Sequence, residues 1–438
     1  MIEIASVGGY NEVGKNMTAV KIDDEVIILD IGLYLPAVVS FEDEQNFLSS
    51  DEMIKLGAIP DDNTIKDWWP KIKAVIISHC HLDHSGAVPY LVEKYNSPVI
   101  GTPYTIEVLK RILQDKDIKL SNKLISIKLG KRFKISENIE CELVNVTHST
   151  LETAIIILFT KYGNIAYAND FKLDNTPTLG KETNYESLRQ IKNIKALIVD
   201  SLYSSSKEKT PSESKAKEML KEILLNKEHK DKAIIVTTFS SHLARLKSIA
   251  EFGNKLNRRV LFLGRSLNRY VESGEKLNLV KYDAESIFWP RKIAKKIREI
   301  EKEGHGKYLI VCTGNQGEPK SVLAKLVNKT YPFEFRPDDV VIFSCHVIPT
   351  EISINNRKLI EEKLEKYKVK IYRDVHQSGH AGGEDMKTLI NMLKPIHIIP
   401  THGDHDKLIH LSNIAVDMGY TYNKTVHMLN NGNRLKID

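Results

Sequence analysis

Long apolar runs, paired cysteines and repeats are what this 438-residue chain lacks. No stretch approaches the roughly 18 consecutive apolar residues that a membrane-crossing helix needs, so no membrane contact is expected. The start, Met1-Ile2-Glu3-Ile4-Ala5, has no basic segment followed by an apolar one, which argues against a secretory leader and points to the cytoplasm. The four cysteines, Cys80, Cys141, Cys312 and Cys345, form no Cys-x-x-Cys pair. They are too scattered for a disulfide framework, as suits a reducing compartment. No internal repeat or low-complexity tract appears. Net charge is modest too: an excess of +6 permits a polyanionic partner without demanding one. Basic pairs such as Arg291-Lys292 and Lys295-Lys296 fall at helical spacing, where a solvated face explains them as well as a nucleic-acid contact does. The length exceeds one ordinary core, so two domains are expected.

Histidine is scarce, 15 in the chain, yet three fall within His79-Cys80-His81-Leu82-Asp83-His84. An apolar run, Ala74-Val75-Ile76-Ile77-Ser78, precedes them and reads as a buried strand. Imidazole with carboxylate suits zinc and similar divalent ions. Alternation aims His79 and His81 one way, while Asp83 and His84 can face a neighbouring point, an arrangement that suits two ions better than one. Cys80 is either a further ligand or a packing residue, and the same alternation favours packing.

Elsewhere the chain keeps ending strands on metal-compatible residues: Asp30, His148, Asp170 and Asp200 join His79 in this pattern. In layered α/β architectures sites form where strand ends meet, because loops converge there while the sheet stays rigid. Gly9 to Lys15 nearly spells a phosphate-binding loop, but Asn16 stands where the hydroxyl should be and Thr18–Ile22 reads as strand, so a glycine-rich turn between strands is expected instead. Leu33 to Lys71 looks irregular, with prolines at 36, 60 and 70, and Trp68-Trp69 read as packing residues. Gly86–Tyr95 reads as a helix. Ser204 to Ser212 reads as a linker. Beyond it, regular β-α alternation implies a parallel sheet in a separate α/β domain. The last segment carries His376-Gln377-Ser378-Gly379-His380 and Thr401-His402-Gly403-Asp404 after further strands.

The collected candidates are His79, His81, Asp83, His84, His148, Asp170 and His402. Two ions about 4 Å apart want this many ligands and a shared carboxylate. Asp170 is the natural bridge, with His79, His81 and His148 on one side and Asp83, His84 and His402 on the other. Asp30 is expected behind the ligands rather than on an ion. Metal ions activate water and clamp a phosphoryl or carbonyl oxygen, so the reaction class is hydrolysis.

At this point the residues carry a resemblance. His79-x-His81-x-Asp83-His84, followed in order by His148, Asp170 and His402, resembles the metallo-β-lactamase superfamily. The block between Asp200 and His380 resembles the insertion of its β-CASP nuclease branch. Residues 8 to 16, Asp170-Phe171-Lys172-Leu173-Asp174, Gly264-Arg265-Ser266, Thr313-Gly314-Asn315-Gln316-Gly317-Glu318-Pro319 and Ser378-Gly379-His380-Ala381 are similar to the ribonuclease J family, over nearly the whole chain. The resemblance implies a metallo-β-lactamase αββα sandwich, residues 1–206 and 371–438, with an inserted α/β β-CASP domain of parallel sheet, residues 207–370. It implies a hydrolase with two Zn2+ per chain, Mn2+ or Mg2+ being alternatives. The expected activity is processive 5′-3′ exonuclease action on single-stranded RNA with a 5′-monophosphate, in RNA decay and processing, with some endonuclease activity allowed.

Asp200, motif A, would orient His380, motif B, which would protonate the leaving oxygen, and Asp83 would join them in catalysis. His402 would match motif C. Ser378, Gly379, Ser240, Ser241 and the Gly314-Asn315-Gln316 turn would offer donors to RNA and its 5′-phosphate, although Asn315 stands where many relatives carry serine. Bacterial members continue into a C-terminal domain that aids oligomerisation, and this chain has the length of the shorter archaeal form. A homodimer and other RNA-decay proteins are the partners implied.

Four rivals stand beside this reading. A β-CASP endoribonuclease of the mRNA 3′-end-processing type would carry N-terminal RNA-binding domains. A thioester or lactam hydrolase would lack the inserted block. A non-catalytic RNA-binding subunit would have lost ligands that are all present here. A DNA-acting β-CASP nuclease would usually have valine where His402 stands.

Overall fold

The computed structural model describes residues 1–40 and 48–437. The chain divides into two compact units. One comprises Met1–Asn175, Lys181–Thr210 and Gly379–Asp438, the other Thr176–Gly180 and Pro211–Ser378. Against the breaks expected after 206 and 370, the chain changes unit a few residues later each time. Lys207–Thr210 stay with the first unit, where the Thr210 amide donates to Asp385 at 3.0 Å. Strand Lys370–Tyr372 pairs in parallel with Val340–Phe343 of the second unit.

The first unit is built on two sheets. The seven-stranded sheet runs Arg434–Ile437, Ile2–Gly8, Met17–Ile22, Glu25–Leu29, Ile72–Ile76, Val99–Gly101, Leu124–Ser126. The six-stranded sheet runs His397–Thr401, Ile194–Asp200, Asn164–Ala168, Ala154–Phe159, Glu140–Asn145, Arg132–Lys134. Side-chain alternation creates the layers. Ile27, Leu29 and Ile76 pack with Ile156, Ile165 and Ile198 between the sheets. Their neighbours Val26, Ile28 and Val75 face outward against Val88 and Leu109, while Ile157, Ala166 and Leu197 face Met386, Leu389 and Leu411. That is the αββα order. The turn from Gly9 to Asn16 does join two antiparallel strands, with no helix after it.

The second unit carries a sheet whose ladders are all parallel, ordered Glu285–Ile287, Arg259–Leu263, Tyr308–Cys312, Ile234–Thr237, Val340–Phe343, Lys370–Tyr372. Its central strands are buried throughout, which explains their continuous apolar runs.

Two stretches differ from expectation. Leu33 to Lys71 is more ordered than its irregular pattern suggested. It contains helices Leu35–Ser40 and Ser50–Lys55, the latter started by a Ser49–Glu52 capping box, and a 3-10 segment Asp62–Lys71 that buries Trp68. These pieces are too short to show a helical period. Residues 41–47 of that stretch lie outside the described residues. The helix expected over Gly86–Tyr95 is two pieces, Val88–Leu91 and a 3-10 turn Val92–Tyr95.

Candidate metal centre

Rigid strand ends deliver the histidines and aspartates to one place in the first unit. His79 follows Ile72–Ile76, His148 follows Glu140–Asn145, Asp170 follows Asn164–Ala168, and His402 follows His397–Thr401. His81 caps the one-turn helix Leu82–Ser85, which carries Asp83 and His84 side by side. Asp30 and His402 take φ of 60° and 55°, a left-handed conformation uncommon outside glycine. The His402 amide is held there by the Gly9 carbonyl at 2.7 Å.

Ligand-type atoms gather in three groups: His79, His81, His148 and Asp170, and Asp83, His84, Asp170 and His402, which share one carboxylate, and beside them Asp200, His380 and His402. Asp170 Oδ2 lies 3.6 Å from His79 Nε2 and 3.3 Å from His148 Nε2. Its Oδ1 lies 3.1 Å from His84 Nε2 and 3.7 Å from His402 Nε2. Each oxygen therefore faces a different group.

The residues fit cations. His79 Nε2 is buried without a hydrogen-bond partner, which is costly unless something else meets it. His148 Nδ1 donates to the Gly379 carbonyl at 2.7 Å, so its Nε2 keeps a lone pair, and that Nε2 faces His81 Nδ1 at 3.2 Å. Burial, then the neighbouring imidazoles of His84 and His81, holds His79 well below the ordinary histidine range. Burial likewise outweighs Asp170 and keeps His148 well below it, and brings His402 down to about 3. These are neutral rings, the form that ligates. Burial would lower His84 too, but Asp170, Asp83 and Asp30 lift it well above, so an ion there would compete with a proton.

A ring of partners aims the ligands. Asp30 is fully buried. It accepts from the Ser78 amide (2.7 Å), the Ser78 hydroxyl (2.8 Å) and the Tyr167 hydroxyl (3.0 Å), and it takes His84 Nδ1 at 2.8 Å. Ser78 Oγ in turn lies 3.0 Å from His79 Nδ1. One carboxylate thus orients two histidines. Asn16 presents Oδ1 to His402 Nδ1 at 3.0 Å and Nδ2 to the Asp83 carbonyl at 3.0 Å.

Asn16, Ser78 and Tyr167 were missed as site residues by sequence reasoning. Only the unexplained Gly14-Lys15-Asn16 turn offered a signal. Cys80 points away, its Sγ 3.2 Å from Thr150 Oγ1, with burial pushing the thiol up to about 12.

Beside the cluster, His380 Nδ1 lies 2.9 Å from Asp200 Oδ2 and its Nε2 lies 3.8 Å from Asp170 Oδ2. Burial opposes protonation, but Asp170 and Asp200 raise His380 to about 9. Tyr203 stacks on the ring at 5.9 Å. Gly379 passes so close that an added Cβ would lie 2.8 Å from the Ser149 Cβ.

The remaining candidates belong to the second unit. Ser240 Oγ lies 2.8 Å from Ser266 Oγ. Ser241 is buried just before helix Leu243–Lys255. Gly314 takes a φ of 123°, Asn315 Nδ2 is buried without a partner, and Gln316 Nε2 donates to the His346 carbonyl at 3.0 Å. Ser378 is the last residue of that unit.

A two-sheet sandwich with imidazoles and carboxylates crowded at its strand ends defines a metallo-hydrolase of the β-lactamase type. Family models agree in order along the chain: a beta-lactamase superfamily domain over residues 60–230, the ribonuclease J beta-CASP domain over 231–362, and a Zn-dependent metallo-hydrolase RNA specificity domain over 366–428. The chain is 40% identical to ribonuclease J of Methanocaldococcus jannaschii, covering all of this chain and 99% of that one. It is 38% identical to ribonuclease J of Pyrococcus abyssi, covering all of this chain and 97% of that one. Identity to the Helicobacter pylori ribonuclease J is 27%, where the match spans 61% of the longer relative. The chain belongs to the ribonuclease J family. Its fold is shared with a crystal structure of a protein of unknown function from Enterococcus faecalis V583, at a TM-score of 0.68 and 17% identity over 99% of each chain.

Proposed function

We propose that this protein is a metal-dependent ribonuclease that degrades single-stranded RNA processively from the 5′ end and prefers a 5′-monophosphate. Family membership and the RNA specificity domain support RNA as substrate. The observation that carries the chemistry is Asp170, with one oxygen toward each imidazole group and His380–Asp200 alongside.

His79, His81, His148 and Asp170 would hold one ion, and Asp83, His84, Asp170 and His402 the other. The imidazole-rich set suits zinc, with manganese and magnesium as alternatives. A bound pair of divalent ions lowers the pKa of water and offsets charge on the phosphodiester. Asp30 and Asn16 keep the ligand rings turned inward. His380 carries a proton at neutral pH and delivers it to the departing 3′ oxygen. Asp200 fixes its tautomer. Each cut leaves a new 5′-monophosphate, the preferred end, which favours repeated action on one strand.

Ser378, Ser240, Ser241 and the Gly314–Gln316 turn are the proposed donors to that phosphate, with Gly379 carrying the backbone on to His380. The partnerless amide of Asn315 supports this role. The unit of Met1–Asn175, Lys181–Thr210 and Gly379–Asp438 would be the hydrolytic one, and the unit of Pro211–Ser378 the RNA-holding one. Cytoplasmic action as a homodimer among other RNA-decay proteins completes the reading. No described helix is long and apolar enough to cross a membrane.

RNA labelled at its 5′ end tests the proposal. Release of labelled mononucleotide, faster from 5′-monophosphate than from 5′-triphosphate RNA, is expected. A ladder of internal cuts indifferent to the 5′ group would instead establish an endonuclease.

A further inference from the structure

Arg245 is fully buried in the second unit, and a guanidinium removed from water needs acceptors for its donors. Its Nε and Nη2 donate to the two carboxylate oxygens of Glu213 at 2.6 and 2.8 Å. Its Nη1 donates to the Ser344 carbonyl at 3.0 Å, to Ser344 Oγ at 2.8 Å and to the Val375 carbonyl at 3.0 Å. It also faces His376 Nδ1 at 3.5 Å. Ser344 Oγ donates to the same Val375 carbonyl at 2.7 Å. One side chain therefore ties helices Glu213–Leu224 and Leu243–Lys255 to the end of strand Val340–Phe343 and to the segment that leads through His376 to Ser378.

The surroundings of His376 give this hub its meaning. The ring lies 6.3 Å from Phe239, 6.5 Å from His242 and 4.8 Å from His346. Phe239 and His242 bracket Ser240 and Ser241 in the chain. The carbonyl of His346 accepts from Gln316. The residues flanking Ser240–Ser241 thus meet the ring that Arg245 pins, and the Gly314–Gln316 turn is linked to it through His346. Burial, then Arg245 and His242, brings His376 down to about 2, so it stays a neutral acceptor for the guanidinium. A buried ion pair is a weak source of stability compared with well-packed apolar residues. Holding a backbone carbonyl and several loops in one arrangement is what it does better, and phosphate donors work only when held to fractions of an ångström.

We infer that Arg245, clamped by Glu213, is a positioning residue for recognition of the RNA 5′-phosphate, fixing the backbone before Ser378 against Ser240–Ser241 and the Gly314–Gln316 turn. The inference rests on the proposed 5′-monophosphate preference.

The test compares the wild type, Arg245→Lys, and the double variant Glu213→Leu with Arg245→Met. The lysine keeps the charge but cannot fork. The double variant removes both charges at similar volume and keeps the question open to refutation if the lysine variant misfolds. Full-length proteins act on two RNAs that differ only in a 5′-monophosphate or a 5′-hydroxyl. Loss of the hub should raise KM for the monophosphorylated RNA about tenfold, the effect of roughly one misplaced charge-assisted hydrogen bond. Turnover of 5′-hydroxyl RNA and metal content should stay at wild-type levels. A folded variant that keeps the wild-type preference overturns the inference. Equal loss on both RNAs also overturns it, because that marks a purely structural role. A wild type with no preference refutes the function reading itself, and this outcome is distinct because it concerns the unaltered chain.

Discussion

Two buried polar clusters in this molecule are built on opposite principles. Around Asp170, basic nitrogens face one another, and His79 Nε2 has no hydrogen-bond partner. Around Arg245, all three guanidinium nitrogens have protein acceptors. Both clusters hold fully buried charged or polar groups, which carry a desolvation cost. The first leaves neutral imidazole nitrogens turned toward one another, as a ligand set does. The second is complete within the protein. The difference teaches how to read burial: an unsatisfied cluster of lone pairs is a ligand set, and a satisfied fork is a clamp.

The comparison breaks most visibly at Asp170. Asp170→Ala removes the one group shared by both sets of imidazoles, so hydrolysis of 5′-monophosphorylated RNA should fall below detection while circular dichroism stays native. His380→Ala should cost about 10²–10⁴-fold in kcat, the usual range for a positioned acid, with metal content retained. Loss of metal in that variant would place His380 among the ligands instead. Asp30→Asn keeps the shape but weakens the acceptor behind His84 and Ser78. Metal affinity, measured by competition with a chelator, should drop roughly 10–100-fold. The smallest expected effect is the loss of 5′ preference at Arg245, where chemistry itself should persist.

How much of this was legible beforehand follows from the same contrast. The cluster could be read because apolar strands end abruptly on residues that packing cannot want: the candidate ligands His79, His148, Asp170 and His402, and Asp200 beside them. The parallel sheet of the inserted block could be read from its β-α alternation, whereas the two-layer sandwich came only through the family resemblance of the motifs. Asn16 was hidden because its glycine-rich turn imitates a phosphate loop, and only the fold brings it beside His402. Arg245 was hidden more deeply. It sits in a helix whose leucines announce a core face, and its partners Glu213 and Val375 are 32 and 130 residues away in sequence. Short helices within Leu33–Lys71 escaped because capping, not periodicity, defines them.

On the proposed function, the Asp170 cluster completes itself with divalent ions. Metal content per folded chain, measured on wild type and Asp170→Ala alongside RNA hydrolysis, tests it most directly. Two ions in the wild type, lost together with activity in a still-folded Asp170→Ala, is the expected result. Full activity in a chain stripped of metal, or an Asp170→Ala variant that keeps both ions and full hydrolysis, would contradict it.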